Sequence, residues 1–291
     1  MRGSRRLFVA SVGASLAIAQ TRLRGALPNA PTAQVAELEG EIGGRIGLAA
    51  LNTADGRQLS HRADERFAMC STFKLMLAAA ILSRVDAGSL RLGAAVPFRR
   101  SDLVANSPVT AAHARAGALP LSIMLKAVIE VSDNTAANQL RELIGGPTGY
   151  TAYLRGIGDA ITRLDRVEVA LNSNLPGDVR DTTSPRSMLE DMQRVLVGDL
   201  LSESSRGQLV RWMRDCQTGH DRLRARLPAG WEAGDKTGTG SNGASNDLAI
   251  LLPPRQAAIL VACYLTGSSA SMEVLNAAHA RIGALVASAL R

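Results

Sequence analysis

Residues 71–85 read Ser-Thr-Phe-Lys-Leu-Met-Leu-Ala-Ala-Ala-Ile-Leu-Ser-Arg-Val. From Phe73 to Leu82 the stretch is apolar nearly all round, so a helix built from it is buried. The one charge inside that run is Lys74. A lysine on a buried helix is costly unless it is paired or neutral. Ser71 stands three residues earlier, and on a helix the two side chains share a face. A buried amine beside a hydroxyl is a route to an activated nucleophile, and a helix N-terminus turns free N–H groups toward whatever that hydroxyl attacks. Taken alone, Ser-x-x-Lys fits equally well a capping serine and a snorkelling lysine.

Composition sharpens the reading of Lys74. Of 33 basic residues only Lys74, Lys126 and Lys236 are lysine. An ammonium can lose its proton when desolvated, whereas a guanidinium stays charged. A lysine in so arginine-rich a chain is therefore expected to be needed as lysine. Lys126, in an apolar helical stretch, is read as incidental.

On either side of this helix the pattern changes. Thr32–Ile42 reads as a helix, and Arg45–Leu51 and Gln58–His61 as strands joined through a turn at Asp55-Gly56. Helical patterning then dominates to about Trp212, with Leu121–Val131, Thr135–Leu143 and Pro185–Leu196 the clearest segments. Strands return near Trp231–Gly238, Asp247–Leu252 and Ala257–Leu265. Ser271 then opens a last helix running to Leu290. The expected fold is α/β (α+β): an antiparallel sheet built from both termini and packed with helices, plus an inserted all-helical domain. Residues 20–68 and 213–291 are assigned to the α/β domain and 69–212 to the helical one.

The remaining features fit an exported protein. Arg2, Arg5 and Arg6 precede an apolar run, Leu7–Ala19, too short for a comfortable membrane span. Ala17-Ile18-Ala19 supplies a cleavage site. Residues 1–19 are thus an expected export signal, leading to the periplasm or the medium, and Ser4-Arg5-Arg6-Leu7-Phe8 suits either a twin-arginine or an ordinary secretory route. Removing its three arginines from the +7 total leaves +4, spread out and with few aromatics. Nucleic acid is not an expected partner, nor is a membrane after processing. Cys70, Cys216 and Cys263 give no disulfide framework and read as small buried hydrophobes, and four scattered histidines give no metal pattern. No metal or organic cofactor is implied.

Two further motifs follow Ser71-x-x-Lys74. Ser132-Asp133-Asn134 stands between helical stretches, where it could cap a helix or present a hydroxyl and an amide to a cleft. Lys236-Thr237-Gly238-Thr239-Gly240 ends a strand, where a plain turn is the simpler reading. All three in this order are hard to explain as caps and turns. The chain resembles the active-site serine β-lactamases of class A, whose signature with the penicillin-binding proteins is S-x-x-K, S-D-N and K-T-G. The likeness extends to Asn138 and to residues 163–172 and 176–185, which resemble the family's omega loop.

That resemblance implies a monomeric hydrolase acting on the cyclic amide of penicillins and cephalosporins, with a small-molecule β-lactam as partner. Ser71 would be acylated, Lys74 or Glu168 (through water) would be the acylation base, and Glu168 with Asn172 would direct the water that hydrolyses the ester. Ser132 would relay a proton to the leaving nitrogen. Lys236, Thr237 and Thr239 would face the substrate carboxylate, Gly238 would line the cleft, and Asn134 would hold the substrate side-chain amide. The N–H groups of Ser71 and Thr239 would form the oxyanion hole. Arg166 and Asp181 would close the loop as an ion pair. Arg222 matches a place from which some relatives supply a cation for the carboxylate, although Arg224 and Arg226 alternate with it as on a solvated basic face.

Departures from the family pattern bear on specificity. Asn106 and Val167 stand where aromatics are frequent. In one carbapenem-hydrolysing subgroup a cysteine at the position of Cys70 is disulfide-bonded to one at the position of Gly240, so weak carbapenem turnover is expected here. A D,D-peptidase would share Ser71, Lys74, Ser132 and Lys236 but has no use for Glu168 and Asn172. A β-lactam sensor would need a membrane span beyond the signal, and the sequence shows none.

Overall fold

Two runs of chain from opposite ends of the sequence build one sheet. The computed structural model describes residues 30–291; the export signal expected at 1–19 and its cleavage site lie outside the described residues. The chain opens with α1 (Ala30–Ile42), β1 (Arg45–Asn52), β2 (Gln58–His61) and β3 (Phe67–Ala68). The helical insertion carries α2 (Phe73–Asp86), β4 (Ala95–Pro97), α3 (Pro108–Ala112), β5 (Ala118–Pro120), α4 (Leu121–Glu130), α5 (Asn134–Glu142), α6 (Gly146–Gly156), β6 (Thr182–Thr183), α7 (Pro185–Leu196) and α8 (Glu203–Arg214). Then come β7 (Glu232–Thr239), β8 (Ser245–Leu252), β9 (Ile259–Thr266) and α9 (Met272–Leu290). The main sheet is antiparallel, ordered β2-β1-β9-β8-β7.

Alternation along the strands sorts side chains between two layers. In β9, Ile259, Val261, Cys263 and Leu265 join the core under α1 and α9, while Leu260, Ala262 and Tyr264 join the larger core of the helical side. Every residue of β9 is buried. This two-sided burial is why the strand reads as an unbroken apolar run. Serines cap the helices that flank it: Ser184 accepts from Ser187 N at the start of α7, and Ser271 from Val274 N at the start of α9.

Three local differences from the sequence pattern have physical causes. The α-helix expected from Ser71 begins at Phe73, after a 3-10 turn at Cys70–Thr72 that is entered through a left-handed Cys70 (φ 47°). Helix α6 grows out of Gly-Pro-Thr-Gly, which reads as loop; Pro147 suits a first turn, and a Cβ on Gly149 would lie 1.8 Å from Ile144 O. Helix α8 is mostly polar; Leu209, Trp212 and Met213 bury on the core, with Val210 packed beside them.

One row crosses the sheet on its helical side. Gly47, Tyr264, Asn246 and Gly238 stand opposite one another on β1, β9, β8 and β7. A Cβ on Gly47 would lie 2.4 Å from the Phe67 ring and 2.8 Å from Pro185, so α7 and β3 sit directly on the strand. At the other end, a Cβ on Gly238 would lie 2.7 Å from Met69 O. The row therefore receives other elements at both ends by omitting side chains.

Residues 163–181 leave the helical layer and return to it as a closed loop. Asp181, fully buried, accepts from Arg166 Nε at 2.5 Å and from the amides of Asp165 (2.7 Å) and Arg166 (2.9 Å). Its carbonyl accepts from Met69 N at 2.9 Å, which ties the loop to the turn before Ser71.

Two stability outcomes follow. Gly47→Ala should cost about 1–3 kcal/mol through overpacking against Phe67 and Pro185, read as a lower urea midpoint at unchanged slope. Asp181→Ala takes the acceptor from Arg166 Nε and from two amides and should cost about 3–5 kcal/mol; proteolysis within 163–181 should rise with it.

Candidate active site

The helix, the polar turn and the loop converge on one ammonium. Lys74 has no exposed surface. Its Nζ lies 3.0 Å from Ser71 Oγ, 2.9 Å from Ser132 O, 3.2 Å from Ser132 Oγ, 2.5 Å from Asn134 Oδ1 and 3.0 Å from Glu168 Oε1. Burial pulls the Lys74 pKa down, and the Glu168 carboxylate opposes that pull. Ser71 Oγ accepts from Lys74 and donates to Glu168 Oε1 at 3.2 Å. Both groups that could take the nucleophile's proton are already in contact with it.

The Ser132-Asp133-Asn134 turn is both a cap and a presenting element. Asp133 caps α5 through Ala136 N and also accepts from Val109 N, Thr110 N and the Thr110 hydroxyl. That anchor, with Ser132 in the left-handed region (φ 58°), leaves Ser132 and Asn134 facing the cleft. Ser132 Oγ accepts from Lys74 Nζ and, at 3.1 Å, from Lys236 Nζ. With both lone pairs engaged, its own proton is free to be donated into the cleft. Lys236 is fully buried, and desolvation, followed by the Lys74 charge, pulls its pKa down to about 7.

The loop supplies the carboxylate. Glu168 is 2% exposed; its Oε2 accepts from Asn172 Nδ2 at 2.6 Å, and Asn138 holds its backbone from both sides, accepting from Glu168 N and donating to Glu168 O. Among the described residues Asn172 Oδ1 has no donor.

A cavity of about 340 Å³ is lined by Ser71, Asn106, Ser132, Asn134, Asn172, Thr218, Arg222, Thr237, Gly238 and Thr239. A larger groove, about 700 Å³, lies between α1 and α9, but its lining holds no nucleophile near a base. Arg222 is 6% exposed and donates to Thr239 Oγ1 (2.7 Å), Gly238 O and Asn246 O. It is therefore part of the cleft wall. Its neighbour Arg224 instead pairs with Asp235 at 2.5 Å.

All the expected cleft residues thus come together. Thr218 went unnoticed in the sequence, where nothing marks it; its hydroxyl lies 2.5 Å from that of Thr237. Cys70, Cys216 and Cys263 are free and buried. Cys70 Sγ would lie 2.6 Å from a Cβ on Gly240, so the two positions are adjacent, but only one carries sulfur. Among the described residues no group of three or more His, Cys, Asp or Glu could hold a metal ion, and no helix is long and apolar enough to cross a membrane.

Residues 30–290 match the model of the β-lactamase enzyme family. Beta-lactamase OXY-1 of Klebsiella oxytoca is 43% identical over 249 residues, covering 84% of this chain and 85% of that protein. Beta-lactamase AER-1 of Aeromonas hydrophila is 42% identical, covering 85% and 82%. A solved class A β-lactamase, the last common ancestor of Gram-negative bacteria, superimposes with a TM-score of 0.88 at 50% identity, over 90% of this chain and all of that one. With the Ser71, Lys74, Ser132 and Glu168 contacts in place, the chain belongs to the β-lactamase enzyme family, class A.

Proposed function

We propose that this protein hydrolyses the amide of penicillins and cephalosporins through an ester on Ser71, and so confers β-lactam resistance. The observation that carries the reading is the buried Glu168 carboxylate, held by Asn172 and Asn138 and in contact with Ser71 Oγ. Acylation alone needs no second carboxylate poised on the nucleophile. Hydrolysis of the ester does.

In the first half-reaction Ser71 Oγ bonds to the lactam carbonyl carbon and loses its proton, which either Lys74 or Glu168 can reach. The N–H groups of Ser71 and Thr239 receive the developing oxyanion. The C–N bond then breaks, and Ser132 passes a proton to the departing nitrogen, replenished from the neighbouring ammoniums. In the second half-reaction Glu168 takes a proton from water, the water oxygen bonds to the ester carbon, and Ser71 Oγ leaves with a proton. Asn172, whose Oδ1 lacks a donor among the described residues, is suited to orient that water.

Substrate binding is assigned to the opposite wall. Arg222, Lys236, Thr237 and Thr239 present cations and hydroxyls to a carboxylate, and Asn134 presents its amide to the acylamino side chain. Carbapenems are expected to turn over weakly. We infer further that residues 1–19 direct export, by a twin-arginine or an ordinary secretory route, and that the mature enzyme is a monomer. A D,D-peptidase reading is disfavoured by the Glu168–Asn172 arrangement, which would undo the trapped ester.

Two kinetic outcomes test this reading. With excess chromogenic cephalosporin, residues 20–291 should turn over continuously, Ser71→Ala should release no product, and Glu168→Gln should stop near one equivalent. A single burst from the parent would mean a penicillin-binding peptidase instead. Lys236 is charged below about pH 7 and neutral above it, so kcat/KM for a carboxylate-bearing substrate should fall as pH rises through 7, because free-enzyme pKa values shape that profile. Lys236→Arg, which cannot lose its charge in this range, should move that limb upward.

A further inference from the structure

Strand β8 begins Ser245-Asn246-Asp247 before turning apolar, and no chemical step described above uses Asn246. The residue is 1% exposed. It stands opposite Gly238 on β7 and Tyr264 on β9, so its side chain rises on the helical face beside the space that Gly238 leaves open. Main chain preceding the nucleophile fills that space. A Cβ on Gly238 would lie 2.7 Å from Met69 O and 3.2 Å from Ser71 N. Asn246 Nδ2 donates to Ala68 O at 2.8 Å and to Met69 O at 3.0 Å. Both amide protons are thus spent on successive carbonyls just ahead of the left-handed Cys70 and Ser71.

The other half of the amide makes no such contact. Among the described residues Asn246 Oδ1 is buried without a donor, an arrangement that costs free energy which an apolar residue of the same shape would avoid. Its backbone carbonyl also accepts from Arg222 at 2.7 Å. One residue therefore ties the nucleophile's turn to the strand pair that carries the carboxylate-binding wall. We propose that Asn246 is a positioning residue that sets the placement of the Ser71 N–H against β7, and with it the geometry of the oxyanion hole. This rests on the reading of Ser71 as the acylated residue.

The ester carbonyl itself reports on the hole. Donors that polarise it lower its stretching frequency, whereas a loss of general stability leaves it unmoved. In the Glu168→Gln background, infrared difference spectra of the cephalosporin acyl-enzyme should show the ester band at higher wavenumber, and broader, when Asn246→Ala is added. Stopped-flow acylation by Asn246→Ala in the otherwise unaltered enzyme should slow by about 10-fold, less than the 100- to 1,000-fold typical of deleting a donor outright. Asn246→Leu, which keeps the volume and removes the amide, should behave alike and serves if the alanine variant does not fold. An ester band unmoved in both variants, with acylation within about twofold of the parent, would overturn the proposal. If Glu168→Gln alone accumulates no ester, the role of Glu168 fails, and the acylation rates still decide that of Asn246.

Discussion

A fully buried ammonium organises this protein. Lys74 cannot be solvated, so its charge must be met by protein oxygens, and it is met by oxygens from three separate segments: the turn at Ser71, the Ser132–Asn134 turn and Glu168 of the loop. Removing any one would leave a buried charge short of a partner, a penalty of about 1–3 kcal/mol or more per lost bond. The same contacts that compensate desolvation are those the chemistry needs. Ser71 is held against its base, Ser132 is left with one free proton, and Glu168 is kept from solvent at hydrogen-bonding distance from the nucleophile.

That cluster is only half of the cleft; the sheet supplies the other half by what it omits. The row Gly47–Tyr264–Asn246–Gly238 lets helix, strand and turn approach β1 and β7 without a side chain between. The glycine of Lys236-Thr237-Gly238 thereby has a steric role, admitting the main chain before Ser71. Lys236 in turn reaches Ser132 from the strand side. A lysine on a helix and a lysine on a strand thus flank one hydroxyl, and their mutual repulsion is part of why the second loses its proton more readily.

Much of this was legible in the sequence because it is carried by locally scarce residue types. Three lysines among 33 basic residues, and the Ser132-Asp133-Asn134 triplet directly after an apolar helix, stand out against their background. Strands β1, β9 and the latter part of β8 were legible because burial on both faces leaves apolar runs. The expected helix start at Ser71 slipped to Phe73 because the preceding turn is fixed by tertiary hydrogen bonds, donated by Met69 N to Asp181 O and by Asn246 to the Ala68 and Met69 carbonyls, which no local propensity encodes. Thr218 and Asn246 were missed for a related reason: Thr218 in the loop after α8 and Asn246 in the polar start of β8 look like ordinary boundary residues until their partners, the Thr237 hydroxyl and the Ala68 and Met69 carbonyls, are known. The competing reading of Arg222 as one of a solvated basic row failed on burial, since its neighbour Arg224 turns away to Asp235 while Arg222 meets Gly238 and Thr239.

The division of labour between the parts has an energetic logic. Lys74 on the helix and Lys236 on the sheet, which flank Ser71 and Ser132, rest on deeply buried layers. Glu168 rests instead on a loop with little core of its own, where Val167, Val169, Leu175 and Val179 are exposed. Its hold comes from polar closure: Arg166 on Asp181, Asn138 on both sides of the Glu168 backbone, and Asp181 O on the turn before the nucleophile. Such closure is cooperative, because each bond is strong only while the others exclude water. Loosening the loop should therefore impair ester hydrolysis before ester formation, turning a catalyst into a covalent binder with its nucleophile intact. The difference between this enzyme and a protein that penicillin merely traps lies in how firmly those few hydrogen bonds keep one carboxylate in place.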